Sequence, residues 1–373
     1  MTTLFFYGTL RFQPLLECVL GRPLDLIPAS LPGHRVVWAK GESFPMMIPA
    51  GGEVAEGCLA RDLSAEDVAR LDFYEGAFAY DLVDIHPEGP DGPEPAQVYL
   101  PGNSPWHPGA PWALNDWAGT WGPLTLIAAA EVMRAYGRET AQEVARRFPI
   151  IRARAQARVA AETRHRPTAI SSPRTRADVE VTRLERPYEK FFAVEELEAR
   201  FRRFDGSWAE TGPRAVFRVA DAVTVLPYDP KRDLVMLVEQ LRIGPFAHGD
   251  PQPWLLEPVA GIVDAGETHE STAYREALEE AHVDLSTLYK VAGYYPSPGG
   301  ISQHLVSYIG LASLADNRRL LGGLDHEGED IRNLLVPFDQ LYAMLETGEL
   351  ANAPLILSVQ WLALNRDRLR AGL

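Results

Sequence analysis

From residue 4 to about residue 101 the chain alternates short apolar runs with Gly and Pro turns. This pattern predicts strands at residues 4–7, 35–38, 56–60, 82–85 and 96–100. Among them residues 64–71 read as a helix, with Ser64 as N-cap and Glu66 and Asp67 in the first turn. After a Pro/Trp-rich passage at residues 105–112, apolar spacing turns helical over residues 115–147, and a second helical stretch covers residues 150–163. From Val179 onward the pattern becomes α/β. Apolar strands are expected at residues 222–226, 235–240, 291–295 and 304–311, and helices at 268–281, 338–347 and 353–370. Between Arg146 and Arg176 there are nine arginines and one acid, Glu162, and two prolines fall within residues 165–176. An interdomain linker is placed there. The expected organisation is an α/β protein of two domains: residues 1–110, a helical connector and Arg/Pro-rich linker at 111–178, and residues 179–373.

Composition narrows the class. Hydrophobic residues at 46% and charged residues at 23% fit a globular protein with substantial cores. Apolar runs of about 18 residues are missing, so no membrane-spanning helix is expected. The first residues lack the basic segment and small-residue cleavage site of a signal peptide, and Cys18 and Cys58 cannot build a disulfide framework. A cytoplasmic location is the expectation. The net charge of −15 argues against a nucleic-acid partner. A phosphate-bearing small molecule stays open, because a divalent cation reverses the local sign of an acidic site.

Such a site is suggested by Gly261-Ile-Val-Asp-Ala-Gly-Glu267, followed after seven residues by Arg275-Glu276-Ala-Leu-Glu279-Glu280. On a helix, Glu276 and Glu280 stand at i and i+4 with Glu279 beside them, so the three share one face. Like charges so placed destabilise an isolated helix, and a hard divalent cation relieves the repulsion. A solvated acidic face is the plain alternative for the triplet alone. The whole run, however, resembles the Nudix box and departs from it at one fixed position. There His282 replaces the glycine that ends the helix in a left-handed conformation. Residues 238–243, 253–261 and Tyr295-Pro-Ser297-Pro298-Gly299-Gly300 resemble the ADP-ribose pyrophosphatase branch, as does Pro298, sixteen residues after His282. So do the acidic stretch 323–332 and residues 352–361.

The resemblance implies a Nudix α/β/α sandwich that hydrolyses ADP-ribose to AMP and ribose 5-phosphate with Mg²⁺, or Mn²⁺. It implies Glu276, Glu280 and the Ala260 carbonyl as metal ligands, with Glu279 binding directly or through water. Arg275 is then structural, paired with an acid of the box. Glu327 is the candidate general base and Glu329 the second choice. Arg214 and Arg242 are candidates for phosphate or ribose contacts, Ser297 lies in the substrate-facing motif, and Phe191 or Phe192 for stacking on adenine, or else for plain core packing. Where the branch has Ser-Glu-Arg, this chain has Ser302-Gln303-His304, which leaves another nucleoside diphosphate sugar such as GDP-mannose as the alternative substrate. The branch also implies a homodimer formed by exchange of the strands around residues 179–208.

Nearer the start, Phe5-Phe6-Tyr7-Gly8-Thr9-Leu10-Arg11 reads as a strand entering a tight loop whose amides could cradle a carboxylate. With Leu71-Asp72-Phe-Tyr-Glu75-Gly76 it resembles the γ-glutamylcyclotransferase-like (AIG2-like) family, whose fold is a mixed β-barrel with helices. The resemblance implies Glu75 as acid/base and Tyr7, Gly8, Thr9 and Leu10 as the substrate loop. Three readings remain: an ADP-ribose diphosphatase, a cyclotransferase with a nucleotide-sensing Nudix domain, or a dimeric scaffold with neither activity.

Overall fold

The computed structural model describes residues 2–76, 80–101, 105–314, 321–323 and 330–372, in two compact units, Met1–Thr163 and Arg164–Leu373. None of the described helices is long and apolar enough to cross a membrane.

The first unit is built on a curled, mostly antiparallel sheet. Its inner strand, Thr2–Phe6, runs antiparallel to Pro45–Leu63 and parallel to Ala96–Pro101, and a long hairpin joins Ile27–Ala39 to Pro45–Leu63. Phe5, Tyr7, Leu31, Met47, Leu59 and Val98 fill the inside of the curl. Ser64 caps the helix Ala65–Glu75 as its sequence indicates: the hydroxyl accepts from the Asp67 amide, and Asp67 accepts from the Ser64 amide. The helical stretch expected as a connector packs into this unit instead. Gly122–Arg134 lies against both Gln13–Leu20 and Phe148–Thr163. The reason is that Leu124, Ala128, Val132 and Ile151 need burial, and Arg154 forms an ion pair with Glu131 out of solvent. Residues 164–175, beyond these helices, carry neither helix nor strand.

In the second unit, four antiparallel strands within residues 179–218 make one sheet. A larger mixed sheet follows, in which Ala222–Asp229 lies parallel to Leu305–Leu311 and antiparallel to Leu234–Leu241 and Val259–Ile262. Ala222–Asp229 is buried along its whole length, Thr224 and Asp229 included, because both faces are covered. One face packs under the helix His269–Ala281 through Val223, Val225, Ala273, Ala277 and Ala281. The other packs under Phe338–Ala343 and Ala353–Ala371 through Leu226, Ile309, Leu341, Leu355 and Leu362. The result is an α/β/α sandwich.

Candidate functional site

The acidic residues of the second unit sit where the helix His269–Ala281 crosses the strand Val259–Ile262. Ala273, Ala277 and Ala281, spaced by four, are fully buried, and their small side chains let the helix approach the sheet closely. Glu280 is 4% exposed, and its Oε2 accepts from the Ala260 N–H at 3.1 Å. Glu276 lies against Gly261, where an added Cβ would stand 1.8 Å from Glu276 Oε1. Gly322 makes similar room, since a Cβ there would fall 1.7 Å from the Glu280 carbonyl oxygen. Both glycines are set by close approach, not by backbone angle.

Arg275 ties the acids together. Its Nε and Nη2 donate to the two Glu267 oxygens at 2.8 and 2.9 Å, and Nη1 donates to Glu276 at 2.7 Å and to Glu279 at 2.9 Å. A further bond reaches the Ile262 carbonyl at 3.2 Å, fixing helix to strand. The bonds with Glu267 raise the arginine's pKa and lower that of Glu267, so both are charged at any physiological pH. One guanidinium therefore offsets the repulsion that the spacing creates. The groups brought together here are the carboxylates of Glu276, Glu279 and Glu280, hard oxygen ligands that fit a divalent cation.

Other expected residues are spread more widely. Arg242 donates to the buried Glu257 at 2.6 Å, and Asn352 donates to the other Glu257 oxygen at 2.7 Å. Burial pushes the Glu257 carboxyl up, and Arg242 opposes the shift. Ser297 forms a turn in which its carbonyl accepts from Gly300 and Ile301. Arg214 is exposed on the four-stranded sheet, away from the sheet that carries the acidic helix. Phe191 and Phe192, 55% and 45% exposed, stack edge to face at 4.9 Å in the turn between Val179–Glu189 and Ala193–Arg202. Their exposure excludes core packing. Glu327 and Glu329 lie outside the described residues.

In the first unit Tyr7, Gly8, Thr9, Leu10 and Glu75 line one cavity of about 290 Å³. The strand Thr2–Phe6 delivers the loop, which tightens into a single helical turn at Thr9–Arg11, and Glu75 closes the helix Ala65–Glu75. Burial pushes the Glu75 carboxyl up to about 7. Nearby, Tyr99 donates to Asp72 at 2.6 Å. The pocket also contains Glu42, Trp117 and Arg152, which the sequence did not single out. Arg152 donates to the Ser43 hydroxyl at 2.7 Å and reaches the pocket from the helix Phe148–Thr163.

Both units are similar in sequence to known proteins. A family model described as the NUDIX domain matches residues 218–359. The ADP-ribose pyrophosphatase of Escherichia coli (strain K12) is 37% identical over 193 residues, covering 52% of this chain and 91% of the relative. The chain belongs to the Nudix family. The ADP-ribose pyrophosphatase of Haemophilus influenzae is 34% identical, over 52% of this chain and 89% of its own length. The GDP-mannose pyrophosphatase of Escherichia coli O157:H7 is 32% identical over 41% of this chain and 78% of its own. A second family model, gamma-glutamyl cyclotransferase, AIG2-like, matches residues 4–119.

In Nudix terms, the acidic helix carries the box, and its one departure is visible. His282 ends the helix with φ 54° and ψ 36°, the left-handed conformation that the missing glycine would take at less cost. Members of the Nudix family generally depend on divalent metal. What the sequence reading missed are partners from distant segments, such as Glu257 and Asn352 around Arg242, 95 residues apart. No local pattern announces such pairs.

Proposed function

We propose that the second unit hydrolyses the diphosphate of ADP-ribose, giving AMP and ribose 5-phosphate, with Mg²⁺ or Mn²⁺. The observation that supports this most is the packing of Glu276 and Glu280 against Gly261 and Ala260 under the control of Arg275, in a chain similar over nine-tenths of the length of ADP-ribose pyrophosphatases. Glu276, Glu280 and the Ala260 carbonyl would hold the cation, and Glu279 would join them directly or through water. When bound, the cation supplies positive charge to the diphosphate as its P–O bond breaks. Arg275 keeps the carboxylates oriented before substrate arrives, so little reorganisation is left for the reaction itself. A water molecule attacks one phosphorus, its proton passes to a carboxylate, the bond from that phosphorus to the bridging oxygen breaks, and the other phosphate monoester leaves with the bridging oxygen as the second product. Glu327 is assigned that proton, with Glu329 as the second choice. Arg242, held by Glu257, and Ser297 contact the phosphates or the terminal ribose, and Arg214, carried on the four-stranded sheet, makes such a contact in the partner's site of the homodimer. Phe191 or Phe192 stacks on adenine. Their exposure favours delivery to a partner's site in a homodimer built on the strands of residues 179–208. Turnover of a panel of nucleoside diphosphate sugars with Mg²⁺ and with Mn²⁺ tests the reading. GDP-mannose turnover without ADP-ribose turnover would replace the substrate and leave the family standing.

A second activity is favoured by the cavity of the first unit. There Glu75 accepts the proton of the α-amine of a γ-glutamyl compound, and the amine nitrogen attacks the γ-carbonyl to close the 5-oxoproline ring. The proton then goes to the leaving amine. A carboxyl with a pKa of about 7 is suited to both transfers near neutrality, and the oxyanion is assigned to the amides of the Gly8–Leu10 loop, which lines the same cavity. Because the reacting groups are tethered, holding them close supplies much of the catalysis. Release of 5-oxoproline by the full chain from γ-glutamyl amino acids, γ-glutamyl-ε-lysine or glutathione tests it. No product from any of them would make the unit a binding module.

A further inference from the structure

Three chemistry-bearing side chains converge in the second unit away from the acidic helix face. Asp221 and His304 each precede a strand of the parallel pair Ala222–Asp229 and Leu305–Leu311, in which Ala222 is opposite Leu305, so the two stand side by side at one sheet end. His269 opens the helix His269–Ala281. One ligand atom from each of the three falls in a group no more than 4.8 Å across.

The cluster is built, not incidental. Asp221 is buried and His304 is 8% exposed. The backbone N–H of His304 donates to Asp221 Oδ1 at 3.2 Å, and Arg164 donates to Oδ2 at 2.7 Å and to the Tyr295 hydroxyl at 3.3 Å. The two imidazoles meet edge to face with centroids 6.3 Å apart. Gly293 leaves space for the ring, since a Cβ there would lie 3.0 Å from His304 Cε1. Yet His269 Nε2 and His304 Nδ1, both buried, have no hydrogen-bond partner among the described residues. Buried ring nitrogens without partners are rare in folded proteins and need a reason. Burial lowers the pKa of both rings from the ordinary imidazole value.

We propose that Asp221, His269 and His304 form a second metal site for a borderline divalent cation such as Zn²⁺. Two imidazoles and one carboxylate suit zinc, whereas the all-oxygen face of the Nudix helix suits Mg²⁺. Three protein ligands leave a fourth position for water or a ligand. Bonds of about 2.0–2.1 Å bring tetrahedral ligands to about 3.4 Å from one another. The side chains close by up to about 1.4 Å, within reach of imidazole torsions. Arg164 stays on the far carboxylate oxygen and orients it, the role of an outer partner in such sites. The site goes beyond the diphosphatase and is independent of it.

The test is Zn²⁺ binding to the full chain in excess Mg²⁺, read by equilibrium dialysis and X-ray absorption. The result expected is one Zn²⁺ per chain with two imidazoles in its shell. His269→Gln and His304→Gln should each lower affinity by at least about tenfold, with unchanged circular dichroism. No retained Zn²⁺, retained Zn²⁺ with no imidazole scattering, or retention unchanged in both variants would overturn the proposal. The scattering of the unsubstituted protein decides by itself should a variant misfold.

Discussion

Replacing Gly261 by alanine puts a methyl carbon where Glu276 already lies. That carbon would stand 1.8 Å from Oε1, 2.0 Å from Cδ and 2.4 Å from Cγ. The carboxylate has to withdraw by about 1.2 Å to reach even a tight separation of about 3.0 Å, still inside the optimum for non-bonded atoms. Because Cγ is blocked as well as the tip, the whole side chain must swing, and the 2.7 Å bond from Arg275 is lost. Misplacing a group by about 1 Å near a reacting centre costs on the order of 10²-fold in rate. Gly261→Ala is therefore expected to reduce kcat/KM for ADP-ribose on the order of 10²-fold and to raise the Mg²⁺ concentration needed for half-maximal rate. Overpacking of this kind costs about 1–3 kcal/mol of stability, so the protein should stay folded by circular dichroism. AMP release measured across a Mg²⁺ series reads both effects. Wild-type kcat/KM with an unchanged demand for Mg²⁺ would refute the claim that Glu276 works against this strand.

Further outcomes follow from other residues. Glu327→Gln should keep metal binding by calorimetry but lose about 10²–10⁴-fold in kcat, as for removal of a general base; a near-normal kcat would move the role to Glu329. His282→Gly should stabilise the second unit by about 1 kcal/mol, because φ 54° is left-handed backbone that glycine adopts more cheaply; an unchanged or lower Tm would contradict this. The Glu75 carboxyl is raised from 4.5 to about 7, so its protonated form is favoured by folding. Its stabilising contribution is full below about pH 4.5 and is lost as the pH rises through about 7. Glu75→Gln should accordingly raise Tm relative to wild type more at pH 8 than at pH 5, and abolish any 5-oxoproline release; an equal Tm difference at both pH values would show that Glu75 is not buried as described.

The parts of this protein that were legible in its sequence are those coded locally. Ser64 and Asp67 lie three residues apart and announce a capped helix, and the structure forms both halves of that cap. The acids of the Nudix helix are set by spacing of one and four, and the left-handed end at His282 follows from the position of the missing glycine. Tyr7 to Leu10 and Glu75 lie far apart in the chain, but two motifs place them, and they line one cavity. Information carried by tertiary packing was less visible. The helices of residues 114–163 look like a connector because their polar and Arg-rich positions resemble a solvated segment, whereas Arg154 turns inward to Glu131. Asp221, His269 and His304 come from three elements that only the parallel strand pair and the helix above it bring together. Single residues bounded by unrelated neighbours leave no periodic signal.

The proposed place of diphosphate cleavage is the carboxylate face of the Nudix helix. AMP release from ADP-ribose, measured against Mg²⁺ concentration for wild type and for Glu280→Gln, tests that claim most directly. The expected result is a saturable Mg²⁺ dependence in the wild type, no turnover after chelation, and loss of both activity and Mg²⁺ binding in Glu280→Gln, which removes a buried carboxylate proposed as a ligand. Turnover that survives chelation, or a Glu280→Gln protein with the wild-type Mg²⁺ curve, would contradict it.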